Sequence, residues 1–424
     1  MRQTKLVALW APAFLLVALS AGPASAQAIT PASDTARFVF DTALLLAGGL
    51  AALFFVFAFG LRDVGLARLH NTSAVCLRMM GVVAVTAVAF WLSGYNLIHL
   101  IEEGGLLGEF QIWRPNDDDP LGVGYSSSIH WFYQLGPAVM AAAIVSSAVS
   151  ERVRLGSFLI FTLALGGLIF PIIAGWSWGG GYLDTAWSFY DFGGAGVIHV
   201  TGGAAALAAA FVVGPRPGKY VRGEVRNMSS DALPLTAFGA GLIWVSMLVV
   251  MASRVQSFST IEAAISIGTI MVTSLMAASG AILSALFLTQ LVYKRIGLVT
   301  VSCAAVGGLV SIAADPLHPS MWQALMIGAV GGIIVTVAPP FLNRFKIDDA
   351  GLVVPTHLFC GGWGVIVVAW THPDAWFVGQ IVGVIAIAGF ASFLSLLFWI
   401  ALKYTFGARL RPTVERSAEV EEGE

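Results

Sequence analysis

The stretch Asp191-Phe192-Gly193-Gly194-Ala195-Gly196-Val197-Ile198-His199 has a counterpart in Asp349-Ala350-Gly351-Leu352-Val353-Val354-Pro355-Thr356-His357. Both read Asp-x-Gly, five residues, then His. Each opens an apolar block of about 20 residues, the length needed to cross hydrocarbon as a helix. Ionisable groups inside such blocks are costly and mark solute or proton routes. A lone histidine of this kind is equally well explained as a helix-packing hydrogen bond. Two in matched settings favour function.

The rest of the chain agrees with a membrane setting. Hydrophobic residues make up 58% of the 424 and charged residues only 11%, whereas a soluble domain carries about a quarter charged. No period-two alternation is present, so the spans are read as helices, giving an all-α polytopic membrane protein. Arg2 and Lys5, an apolar run to Leu19, and Pro23 before Ala24-Ser25-Ala26 read as a signal peptide over residues 1–26. An uncleaved extra helix is the alternative. Eleven transmembrane helices follow, near 38–60, 74–98, 129–150, 156–177, 191–213, 234–252, 261–292, 298–313, 321–342, 350–370 and 377–402. The transport domain is therefore 27–409, with a short cytoplasmic tail over 410–424.

Charge fixes the expected orientation. With the N-terminus outside, seventeen Lys and Arg fall on the inner side and three, Arg37, Arg114 and Arg254, on the outer. That bias predicts a periplasmic N-terminus and a cytoplasmic C-terminus in a bacterial inner membrane. The net charge of −2 points to no nucleic-acid partner. Cys76, Cys303 and Cys360 lack metal-ligand spacing and are read as packing residues, so no metal or other cofactor is expected.

In this topology the two His motifs run antiparallel. That is the arrangement of an inverted 5+5 helix repeat, about 38–213 and 234–370, plus an extra helix at 377–402. Eight residues of helix rise put each histidine about 12 Å beyond its aspartate, near the midplane. Symmetry then brings the imidazoles together. Asp191 and Asp349 are read as structural groups on the first helical turn, with Asp191 near an outer mouth. The remaining histidines sit at span ends or loops.

Further segments carry a resemblance: Gly65-Leu66-Ala67-Arg68-Leu69-His70-Asn71, Gly94-Tyr95-Asn96-Leu97, Ser150-Glu151-Arg152 and Trp178-Gly179-Gly180-Gly181. Together with the two His motifs, over the mature chain, they resemble the ammonium transporter family, the Amt/Mep/Rh proteins. The resemblance implies the ammonium-transporter fold, a homotrimer in the lipid bilayer, and a narrow pore for ammonium or ammonia. It implies a pore relay at His199 and His357, and substrate recruitment at Trp178, with Tyr133 as the neighbouring aromatic. An aromatic face can replace part of a cation's hydration, and histidine can exchange protons near neutrality.

The gate differs from the family pattern. Pro137 and Val250 stand where two stacked phenylalanines are usual, and Arg254 lies close to a recruiting serine. Arg254 is read either as a cation opposing ammonium or as an interfacial side chain reaching outward to water. The short acidic tail argues against a PII-type regulator. The leading expectation is an ammonium/ammonia transporter or channel and not an enzyme. The alternatives are a transport-inactive ammonium sensor of the same fold, or a channel for another small solute such as carbon dioxide.

Overall fold

The computed structural model describes residues 33–410, leaving out 229 and 231. The expected signal peptide and the tail beyond Leu410 lie outside the described residues. The described residues from Asp34 to Leu410 form one compact helical unit.

Its long helices are α1 (Asp34–Leu66), α2 (Leu69–His99), α3 (Ser127–Ala148), α4 (Leu155–Trp178), α5 (Ala195–Val213) and α6 (Leu233–Ser253). They continue with α7 (Ile261–Tyr293), α8 (Leu298–Ile312), α9 (Met321–Arg344), α10 (Val354–Thr371) and α11 (Phe377–Thr405). Among the described residues, nine are long and apolar enough to cross a membrane. The two outside that set have clear reasons. α3 opens with Ser127, Ser128, His130 and Gln134, which dilute its apolar character. α8 has only 15 residues, about 22 Å of helix against about 30 Å of hydrocarbon. From Ser302 to Ile312 α8 is wholly buried, so it is enclosed by protein.

Two kinds of helix surface explain the bundle. α1 buries Leu45, Gly49, Ala52, Val56, Phe59 and Asp63 at helical spacing, packed chiefly against α6 and α3. The outer helices leave apolar side chains outward, as on α7, where Ile265, Leu283 and Phe287 are exposed. An apolar rim around a protein-facing seam suits lipid as the surrounding solvent. α5 and α10 are more enclosed, and α11 lies along α5.

Four of these helices contain wide turns with i→i+5 bonding: Phe90–Gly94 in α2, Leu165–Ile169 in α4, Ala195–Val200 in α5 and Val354–Phe359 in α10. Such turns are rare and often occur at functional positions. The two in α5 and α10 carry the motif histidines.

The helix starts differ from the sequence expectation. α5 begins at Ala195 and α10 at Val354, so both aspartates lie before the first helical residue. The eight-residue rise therefore does not apply, because the first residues after each aspartate form bends and turns. A Gly-rich backbone with carboxylate acceptors available favours these turns over another turn of helix.

Candidate functional site

The crossing of α5 and α10 is built from small residues. A Cβ at Gly203 would lie 2.5 Å from the Leu358 backbone nitrogen, and one at Gly361 would lie 2.6 Å from the Ala195 carbonyl oxygen. Each glycine is four residues beyond a motif histidine, on the same helix face. Each admits the backbone beside the other histidine. His199 and His357 meet there, with Nδ1 atoms 3.1 Å apart and ring centroids 5.0 Å apart.

Both side chains are buried, at 1% and 0% exposure. One Nδ1 must donate and the other accept, so the neutral rings hold opposite tautomers at this contact. His357 Nε2 has no partner among the described residues. A buried imidazole pair with a free ring nitrogen can pass hydrogen bonds, or a proton, to a small polar solute.

The segment before α5 shapes the neighbouring aromatic site. Asp191 accepts from the backbone N–H groups of Gly194, Gly196 and Val197 at 3.1, 2.9 and 2.8 Å. It thus satisfies donors that the helix start leaves open. Phe192 and Gly193 donate to the carbonyls of Ala314 and Ala313 at 2.9 and 2.7 Å, pinning the segment beyond α8. The Asp191 carbonyl then accepts from Trp178 Nε1 at 2.8 Å, which fixes the indole's orientation. Asp349 plays the corresponding part before α10, accepting from the Val354 N–H at 2.7 Å.

Arg254 follows the last residue of α6 and turns inward. Its guanidinium carbon sits 3.9 Å from the Trp178 ring centroid. Nε donates to the Phe192 carbonyl at 3.0 Å, and Nη1 approaches the Tyr133 hydroxyl at 3.4 Å. The alternative of an outward-reaching side chain is therefore corrected. Stacking on the indole and two oxygen acceptors replace water for this planar cation. Tyr133 is buried, as are Pro137 one turn along α3 and Val250 one turn before Arg254 on α6. Pro137 has no N–H to return to the Tyr133 carbonyl.

Residues that the sequence reading did not single out surround the opposite end. Phe59 packs on His357, with ring centroids 5.6 Å apart. Arg62 stacks 4.8 Å over Phe59, donates to the Gly351 carbonyl, and lies 3.4 Å from Asp63. The expected first span near 38–60 leaves Arg62 on the inner side, but α1 runs on to Leu66 and buries it at 2% exposure. The only sequence signal was an Arg-Asp pair immediately after an apolar block.

Four inter-helix segments are joined by ions. Arg216 donates to Asp348 through Nε and Nη2 at 2.9 and 3.0 Å, and to Glu151 through Nη1 at 2.8 Å. Glu151 also accepts from Arg68 Nε at 3.1 Å. Burial pushes both carboxyl groups up, but the arginines prevail and hold each at about 2. Burial lowers Arg216 less than its two carboxylates raise it. Among the described residues no group of three or more His, Cys, Asp and Glu side chains is placed to hold a metal ion.

An apolar-rimmed helical bundle with a buried imidazole pair is a multi-pass membrane protein with a polar step inside it. The chain belongs to the Ammonium Transporter Family, whose family model matches residues 43–422. A Synechocystis sp. protein described as a candidate ammonium transporter is 32% identical over 415 residues, 95% of this chain and 92% of that protein. Ammonium transporter Amt2 of Archaeoglobus fulgidus is 29% identical, over 83% of this chain and 75% of that one. The solved structure named Sensor Amt Protein superposes with a TM-score of 0.84 at 25% identity, covering 91% of this chain and 98% of the other.

Proposed function

We propose that this chain moves ammonium or ammonia across the membrane through a pore in which His199 and His357 form the relay. The observation that carries this reading is the Nδ1–Nδ1 contact of 3.1 Å between two fully enclosed imidazoles. A bare ammonium ion loses many kcal/mol of hydration in an apolar bore, whereas neutral ammonia needs only hydrogen-bond partners. The paired imidazoles supply a donor and an acceptor at the crossing. Trp178 and Tyr133 form the recruitment end, while Asp191 and Asp349 hold the two helix starts.

The reading includes eleven spans, counting the enclosed α8 and the polar-headed α3. It also includes an inverted repeat of α1–α5 and α6–α10 plus α11, and a homotrimer in the inner membrane with the N-terminus outside and the C-terminus inside. The matched wide turns and the reciprocal glycines at the crossing support the repeat. Labelled methylammonium uptake in transport-deficient cells tests the function. Uptake by the wild-type chain that falls with His199→Ala or His357→Ala supports it; properly inserted protein without uptake sinks it.

A second reading, a transport-inactive ammonium sensor, is favoured by the likeness to the Sensor Amt Protein and by Arg254 at the recruitment end. Ammonium-dependent capture of a soluble partner without flux would distinguish it.

A further inference from the structure

We propose that Arg254 is a tethered cation occupying the chain's own cation-recruitment site, so that this protein admits neutral solute and excludes ammonium ion. The inference deepens the transport reading and rests on it for the identity of the solute. The indole face of Trp178, the Phe192 carbonyl and the Tyr133 hydroxyl together provide what a small cation needs on leaving water. Arg254 takes all three, at 3.9, 3.0 and 3.4 Å.

Two features make this a filled site. The receptor is rigid: Trp178 is fixed through the Asp191 carbonyl, and the Phe192 carbonyl belongs to the segment pinned on Ala313 and Ala314. The cation also lacks a direct ion pair. Arg254 forms none among the described residues, and the Asp191 carboxylate, whose oxygens are taken by backbone N–H groups, offsets it only through space. The guanidinium, stacked on the indole, therefore meets whatever approaches that face before the carboxylate does. A fixed arginine at a constriction repels cations while leaving a neutral molecule its hydrogen bonds. The guanidinium over Phe59 differs, because Asp63 lies beside Arg62; the outer cation is the selective one.

The test uses full-length protein in liposomes and in detergent, with Arg254→Ser and the bulk-retaining Arg254→Gln beside wild type. Ammonium pulses are read as membrane current and as alkalinisation of the lumen. Wild type should alkalinise the lumen with no current. Both variants should carry current at least about tenfold above wild type once the fixed charge is removed. In detergent, calorimetric titration with methylammonium should show binding to both variants, and none to wild type or to Arg254→Ser/Trp178→Leu. Equal currents or equal methylammonium binding in wild type and variants would overturn the proposal. So would folded variants that, like wild type, carry no current and bind no methylammonium. Absence of wild-type flux alone would remove the transport reading, while the binding contrast would still decide whether Arg254 fills the site.

Discussion

Replacing Arg216 with glutamine should make stability respond to mild acid, where wild type does not. Arg216 makes two side-chain bonds to Asp348 and one to Glu151, all at 3.0 Å or less, with both carboxylates buried. Asp348 stands at about 2 in the folded chain against an ordinary 3.8. At 1.36 kcal/mol per pH unit, that depression contributes about 2 kcal/mol. A depressed folded value means the contribution is complete above the unfolded pKa and is lost as pH falls from about 4 towards 2. Wild type should therefore be insensitive to these groups between pH 7 and 5.

Arg216→Gln leaves Glu151 with Arg68, and leaves Asp348 with the backbone N–H of residue 216 and the Arg152 charge alone. Removing one partner of a buried ion pair costs about 3–5 kcal/mol. Burial, the largest influence on Asp348, then outweighs the remaining Arg152 charge and backbone N–H, and the prediction is that the folded value rises above the unfolded one. Stability of the variant should rise as pH falls from 7 to 5, because the folded state now binds the proton more readily. Scanning fluorimetry of purified protein at one scan rate measures this. The unfolding midpoint should drop by about 3–8 °C at pH 7, with the gap narrowing at pH 5. A gap that is absent, or that widens on acidification, would refute the reasoning.

Other predictions concern the crossing and the cap. Gly203→Val should lower the midpoint, since overpacking costs about 1–3 kcal/mol, and should remove flux by separating the imidazoles. Gly241→Val, with open space around its Cβ position, should change neither. Asp191→Ala loses the acceptor for three backbone donors and should cost about 3–5 kcal/mol, with Asp191→Asn keeping roughly half through its one oxygen. Thermal unfolding checks the order, and a Trp178 emission shift should accompany the alanine variant. Trp178→Leu alone should release Arg254, read as increased reactivity of that side chain towards an arginine-specific dicarbonyl reagent.

The matched motifs made the histidine pair legible, because two Asp-x-Gly-x5-His runs in antiparallel apolar blocks imply symmetry. What spacing could not give was the path from aspartate to histidine. Extended carboxylate caps and wide turns replace the straight helix there, and these are set by backbone hydrogen bonding more than by apolar pattern. Span counting by length also loses force at α8, where an enclosed helix need not match the hydrocarbon thickness. Arginine was the hardest residue to place. Arg254 near an interface and Arg62 just beyond an apolar block both fit a water-reaching side chain. Tertiary neighbours, Trp178 for one and Phe59 and Gly351 for the other, turn both inward.

Solute flux across the histidine pair tests the central claim most directly. Lumenal alkalinisation after an ammonium pulse should fall at least about tenfold in His199→Ala and in His357→Ala, and the double variant should be no worse than either, as groups acting together are non-additive. Single variants that are inserted and folded yet keep wild-type flux would contradict the relay.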